Sequence, residues 1–137
     1  MDKTQRITER AVEKWGDAAE AGFQTLPDIL LKKQVELGLS ATDMLTLINI
    51  TMHWWYRAKL PFPRSSTIAE RMGIDTRTVQ RSLRKLVALG LIQKEAETQE
   101  DGTTRTVLNL TPLVDRLSGF ARYDTNFIAR THKKEVA

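Results

Sequence analysis

The fold of this protein is decided by the sixteen residues 68–83, which read IAERMGIDTRTVQRSL. A first helix, with apolar residues at helical spacing, is predicted to end at Gly73. Asp75 is then a favourable N-cap for a second helix. Gly73 supplies the positive φ that a sharp turn between two helices requires. Ala69 is small, as a close crossing of helices demands, and we expect Ile74 to fill the space between them. The stretch therefore predicts two short helices joined by a tight turn.

The second of these helices is predicted to run from Asp75 to Gly90 with two chemically different faces. Its apolar residues recur at helical spacing and should face the core: Val79, Leu83, Leu86 and Val87. The opposite face carries the polar and basic residues Thr76, Arg77, Thr78, Gln80, Arg81, Arg84 and Lys85. Packing gives no reason for this second face, so it predicts a binding surface.

The chemistry of the exposed face suits double-stranded DNA. Arg can form two hydrogen bonds to guanine, Gln can do the same to adenine, and Thr can contact a phosphate or a thymine methyl group. Because the first turns of such a helix reach deepest into the major groove, we predict that Arg77, Gln80 and Arg81 read base edges. Arg84 and Lys85 lie farther along the helix and should sit nearer the phosphates.

A strand hairpin is predicted to follow the second helix. Residues 91–97 and 105–110 have strand character, and Asp101 and Gly102 between them are typical of a tight turn. The order helix, helix, glycine turn, helix and hairpin is that of a winged helix-turn-helix. The predicted fold class is therefore mainly α with a small β-hairpin, with extra helices at the N- and C-terminal sides.

A central helix is predicted before the helix-turn-helix. Ser40 and Asp43 form a capping-box pattern, and the residues that follow are apolar on nearly every face up to the Leu60-Pro61-Phe62-Pro63 stretch. This pattern predicts a helix packed on several sides. Its aromatic residues, Trp54, Trp55 and Tyr56, are therefore interpreted as core residues in preference to a platform for stacking bases.

The two ends of the chain flank this pattern. Residues 5–22 predict an amphipathic helix, and residues 26–37 a second apolar stretch, which we read as helix in preference to a short strand and a helical turn. Thr111 and Pro112 begin a further helix, and beyond Arg122 the pattern fades. The predicted organisation is an N-terminal helix and candidate dimerisation arm, a winged helix-turn-helix domain and a loosely held tail, at residues 1–24, 25–121 and 122–137.

Part of the chain resembles the winged helix-turn-helix families of bacterial transcriptional regulators and of plasmid or phage replication proteins. The resemblance covers roughly residues 40–110. It is carried by Ile68-Ala69, Gly73, Arg77-Thr78-Val79-Gln80-Arg81, Leu86 and Gly90-Leu91-Ile92, whose order and spacing match together. The resemblance implies DNA binding and does not separate control of transcription from replication.

Charge is distributed unevenly along the chain. Residues 64–94 contain seven basic and two acidic residues, a net charge of +5, so the rest carries −1 within the total of +4. A positive net charge that is confined to one segment indicates a local contact with a polyanion. We therefore add to the predicted DNA contacts the start of the first helix and the cations of the wing: Arg64, Ser65, Ser66, Thr67, Lys94 and Arg105.

Two features depart from the family pattern. Pro63-Arg64 stands where the family often has Pro-Ser, which leaves Ser65 or Ser66 to cap the first helix of the pair. The wing is acidic, because Lys94 and Arg105 are outnumbered by Glu95, Glu97, Glu100 and Asp101. Since a DNA backbone repels carboxylates, we expect the second helix to do most of the reading.

Several other kinds of site are not expected. The chain has no Cys, and His53 and His132 lack partners at metal-ligand spacing, so neither a metal nor another cofactor is predicted. No nucleophile–base set and no phosphate-binding glycine loop occurs, so we expect neither an enzyme nor a small-molecule ligand. No apolar run approaches the ~20 residues that span a bilayer, and a cytoplasmic protein without a membrane partner is the simplest expectation.

Three functions remain open at this point. The leading hypothesis is a sequence-specific regulator of transcription that binds double-stranded DNA, expected as a homodimer because one recognition helix contacts few bases. The alternative is a plasmid or phage protein of replication initiation or partition. A winged helix that binds another protein is the third hypothesis, and it draws support from the acidic wing.

Overall fold

The computed structural model describes residues 2–136, and the side chains of residues 2–133. This part of the chain is mainly helical with one antiparallel two-stranded hairpin. Its elements are α1 (Lys3–Trp15), α2 (Asp17–Glu20), α3 (Asp28–Lys32), α4 (Ala41–Thr51), α5 (Ser65–Met72), α6 (Thr76–Ala88), β1 (Gln93–Thr98), β2 (Thr104–Asn109), α7 (Thr111–Ala121) and α8 (Thr125–Val136). The predicted fold class is confirmed.

The predicted turn between α5 and α6 is present. Gly73 adopts the left-handed conformation with φ of 66°, and the Asp75 carboxylate caps α6 by accepting a hydrogen bond from the Arg77 amide at 2.9 Å. Ala69 is buried where the helices meet. Ile74 is 36% exposed, so the expectation that it fills the space between the helices is wrong. Buried side chains that include Ile68, Ala69 and Val79 already occupy the core there.

The core lies between α3, α4, α5, α6, α7 and the segment that enters the hairpin. Val79 and Leu86 face inward from α6, as their spacing predicts, while Leu83 and Val87 pack at its edge. Large side chains that are almost fully buried come from α3, α4, α6 and the segments between elements: Leu30, Leu37, Leu47, Ile50, Leu86, Leu91 and Leu110. This single cluster fixes which side of α6 remains outside.

Helix α4 is shorter than predicted. It begins with the expected capping box, in which the Asp43 amide donates to Ser40 Oγ at 3.1 Å and the Ser40 amide donates to Asp43 Oδ2 at 2.9 Å. It ends at Thr51 instead of continuing to Leu60. The residues that follow include a His and three aromatic residues, which are weak helix formers, and the amide of Trp54 already makes a tighter turn to the Thr51 carbonyl.

The early end of α4 changes the surroundings of the aromatic residues. Trp54 remains partly buried against the core, but Trp55 is 73% exposed and Tyr56 is 68% exposed. The interpretation of all three as core residues is therefore wrong for Trp55 and Tyr56. We call residues 52–64, which connect α4 to α5, the aromatic loop.

The hairpin pairs Gln93 with Asn109 at its base and Thr98 with Thr104 near its tip. Gly102 has φ of 87° in the connecting turn, as the sequence predicts. The strand begins two residues later than predicted, because Leu91 and Ile92 belong to the buried core that precedes it. This hairpin is the wing of the domain.

The two ends of the described chain are helical. Helix α1 has no buried residue, and a cleft of about 500 Å³ separates it from core residues such as Leu30 and Leu117. Residues 125–136, predicted as part of a loosely held tail, form α8, and Lys32 pairs with Asp124 just before this helix at 3.1 Å. Local periodicity did not reveal α8, because its largest apolar residues, Phe127 and Ile128, are adjacent in sequence and do not recur at helical spacing.

Candidate nucleic-acid interface

The outer face of α6 presents three arginines to solvent. Arg77, Arg81 and Arg84 follow one another at four- and three-residue spacing, which places them on one side of the helix. All three are exposed, and none forms an ion pair or a side-chain hydrogen bond within the described side chains. Gln80 is exposed beside them. The guanidinium groups are therefore available to a partner.

The predicted contacts Thr76 and Thr78 flank this arginine face. Both lie in the first turn of α6 and are half-buried, so their hydroxyl groups are nearer the protein surface than the arginine heads. Helix α6 contains no acidic residue between Thr76 and Ala88. The face consequently carries positive charge without internal compensation.

Lys85 differs from the other cations of α6. Its Nζ lies 2.5 Å from Asp43 Oδ2 on α4, and Ser82 Oγ donates to Asp43 Oδ1 at 2.9 Å. Burial raises the pKa of Asp43, but hydrogen bonds from Lys85, Ser40 and Ser82 outweigh burial and lower the pKa to about 2. Lys85 therefore joins α6 to α4, and its charge is balanced within the domain. Its predicted contact with a phosphate stays a prediction.

The N-terminus of α5 has no side-chain cap. Arg64 is the N-cap residue and no side chain caps the helix, so the expectation that Ser65 or Ser66 does so is wrong. Both serines lie within the first turn instead. Arg64 is exposed and Thr67 is half-buried, with its amide donating to the Arg64 carbonyl at 3.1 Å. The DNA contact of Arg64, Ser65, Ser66 and Thr67 stays a prediction.

Of the two cations predicted in the wing, one forms an ion pair and the other forms none among the described residues. Lys94 is exposed and unpaired. Arg105 Nη2 lies 2.7 Å from Glu97 Oε1, and the guanidinium carbon is 3.6 Å from the ring centroid of Phe62. Arg105 thus holds the wing against the aromatic loop. Its predicted DNA contact stays a prediction, as does that of Lys94.

The tip of the wing is negatively charged. Glu100 and Asp101 are both exposed, and hydrogen bonds from the side chain and the amide of Thr103 lower the pKa of Asp101. A carboxylate held in its charged form is repelled by phosphates. The arginine face of α6 is therefore the surface best suited to a nucleic acid.

Metal-ligand clusters and membrane-spanning helices are both absent from the part of the chain that is described. No group of three or more His, Asp and Glu residues there could hold a metal ion. No helix between residues 2 and 136 is long and apolar enough to cross a membrane.

Comparison with known proteins identifies the family. The family of DnaD N-terminal domains matches residues 26–126, which is well over half of the chain. The chain belongs to the DnaD N-terminal domain family. A curated relative, the replicative helicase loading/DNA remodeling protein DnaD of Bacillus subtilis (strain 168), is 27% identical over 110 residues, or 80% of this chain. The chain spans about half of that relative, since the match covers 47% of its length.

A solved DnaD N-terminal domain has the same fold. The crystal structure of this domain from Geobacillus kaustophilus HTA426 aligns with a TM-score of 0.55 and 20% identity, covering 100% of both chains. The winged-helix-like architecture inferred from residues 40–110 is therefore shared with a DnaD N-terminal domain. The comparisons give no support to membership in a family of transcriptional regulators.

Proposed function

We propose that this chain is a DNA-binding module of replication, which holds double-stranded DNA through the arginine face of α6. The family match and the name of the Bacillus subtilis relative, which loads the replicative helicase and remodels DNA, favour the replication alternative over transcriptional regulation. Helicase loading or DNA remodelling is the process in which we place the module. The proposed activity is binding, without catalysis.

The observation that carries the proposal is the group of unpaired arginines Arg77, Arg81 and Arg84. Solvated helix faces usually alternate cations with carboxylates, which pair at three- or four-residue spacing. Helix α6 has no carboxylate to offer, and Asp43 pairs with Lys85 instead. A face of this kind gains free energy when phosphates replace the counterions around it.

The test is a titration of labelled duplex DNA with single variants. Arg77→Ala and Arg81→Ala should each cost about 1–3 kcal/mol if they reach base edges, whereas Arg84→Ala should lower affinity uniformly across sequences and reduce the salt slope by about 1. Arg122→Ala, which removes an exposed arginine at the end of α7, is the control of equal charge. Wild-type affinity in all three α6 variants would rule out this face.

A homodimer is also proposed. Helix α1 exposes Trp15 and Ile7 on one stripe and buries no residue in its own domain. A second copy that covers this stripe would remove apolar surface from water and double the DNA footprint.

The wing supports a second candidate function, the binding of another protein. Glu100 and Asp101 form an acidic tip that a DNA backbone would repel but a basic protein surface would attract. A Glu100→Lys, Asp101→Lys double variant that binds duplex DNA as tightly as wild type, while losing a replication partner, would favour this role for the wing.

A further inference from the structure

The aromatic loop exposes more aromatic surface than the fold requires. Trp55, Tyr56 and Phe62 are 73%, 68% and 51% exposed, and they lie within eight residues of one another in sequence. Single exposed apolar side chains are ordinary in folded proteins, but a cluster of large rings indicates a surface that is covered by a ligand or a partner.

These rings belong to an open cleft of about 480 Å³. Its lining combines aromatic and basic side chains, which include His53, Trp55, Tyr56, Lys59, Phe62 and Arg64. The Nζ of Lys59 lies 5.8 Å from the centroid of the Tyr56 ring, which places a cation directly beside an aromatic surface. The cleft therefore offers flat aromatic surfaces and positive charge side by side.

Positive charge in this region is not offset by nearby carboxylates in the sequence. No acidic residue occurs between Asp43 and Glu70, whereas the aromatic loop contains Arg57, Lys59 and Arg64. A surface built to receive an apolar protein helix would not need these cations. Their presence beside the rings selects a ligand that carries flat apolar faces and negative charges together.

Contacts from two other elements hold the cleft in shape. On one side, Arg71 of α5 donates from Nη1 to Nε2 of His53 at 3.0 Å. Since arginine has no acceptor, this bond requires the neutral form of His53, and burial together with the Arg71 charge lowers the pKa of His53 accordingly. On the other side, the amide of Leu108 in β2 donates to the Pro61 carbonyl at 2.9 Å. A preformed cleft loses less entropy on binding.

We infer that the aromatic loop binds single-stranded DNA. Unstacked bases would lie on Trp55 and Tyr56, while Lys59 and Arg64 would meet the phosphates, the combination that proteins use for single strands. A duplex buries its base faces by stacking and offers the rings no such contact. The choice of DNA over RNA rests on the proposed function; the single-stranded ligand itself follows from the cleft.

The test compares a dT20 strand, an rU20 strand and a duplex by fluorescence anisotropy. Removing one stacking ring costs about 1–3 kcal/mol, so Trp55→Ala and Tyr56→Ala should each weaken dT20 binding by roughly 5- to 150-fold. Trp55→Phe should retain most of the affinity, because it keeps a ring. Tyr123→Ala, which removes an exposed aromatic ring that lies outside the cleft, is the matched control and should leave dT20 binding unchanged.

The outcomes separate this inference from the proposed function. Arg81→Ala should weaken duplex binding and spare dT20, whereas Trp55→Ala should do the reverse, with unfolding curves recorded to show that each variant is folded. Absence of dT20 binding, or dT20 binding that survives the Trp55→Ala, Tyr56→Ala double variant, would overturn the inference even if α6 binds duplex DNA. Tighter binding of rU20 than of dT20 would overturn the assignment to DNA.

Discussion

At the scale of single residues, Asp43 has more roles than its sequence context indicates. It caps its own helix α4 and also accepts hydrogen bonds from Ser82 and Lys85 of α6. The carboxylate is buried, while Lys85 is partly exposed. This one side chain therefore joins α4 to the proposed recognition helix, in addition to the core contacts of α6.

We predict that acid weakens the fold through Asp43. Its pKa of about 2 lies below the value of 3.8 for an unfolded chain, so its contribution is complete above pH 4 and is lost as the pH falls toward 2. The difference corresponds to about 2 kcal/mol in the free energy of unfolding. Urea unfolding at a series of pH values should show this loss in the wild type.

The Asp43→Asn variant should lack this part of the pH dependence. It should be less stable than the wild type at neutral pH by a similar amount, and the two curves should converge as the pH approaches 2. Asp115→Asn, at an exposed position of α7, is the control and should keep the wild-type pH profile. A constant difference between wild type and Asp43→Asn at every pH would show that the carboxylate charge is not responsible.

At the scale of elements, two glycines test why the turn between α5 and α6 forms. A Cβ at Gly73 would meet no heavy atom within 4 Å, so the cost of Gly73→Ala is the left-handed backbone alone, about 1–2 kcal/mol. Gly119 lies within α7 with equally open space and no positive φ, and Gly119→Ala should stabilise the protein by about 0.5–1 kcal/mol. Thermal unfolding should shift in opposite directions for the two variants. A stabilising Gly73→Ala would contradict this account of the turn.

At the scale of the whole molecule, the proposed dimer has a direct test. Trp15→Glu places a charge on the exposed stripe of α1 and should shift the mass measured by light scattering toward that of the monomer. Tyr123→Glu, at an 86% exposed aromatic residue after α7, is the matched control and should leave the mass unchanged. A wild type that is monomeric at every concentration would refute the dimer.

The sequence by itself determined the elements that depend on local signals. The glycine turn at Gly73, the cap at Asp75 and the spacing of Val79 and Leu86 among basic residues are local signals that span seven residues or fewer. The helix pair and the arginine face could therefore be predicted. The hairpin turn at Gly102 could be predicted for the same reason. The exposed arginines of α6, which form the candidate surface, followed from this periodicity.

The tertiary structure alone decided the features that join distant segments. Lys85 and Asp43 are 42 residues apart, so no local pattern shows that this cation is already paired. The apolar run after Ser40 predicts one long helix, but α4 ends at Thr51 and leaves Trp55 outside the core. Hydrophobicity indicates that a side chain favours burial, whereas the space that the other elements leave decides whether it is buried.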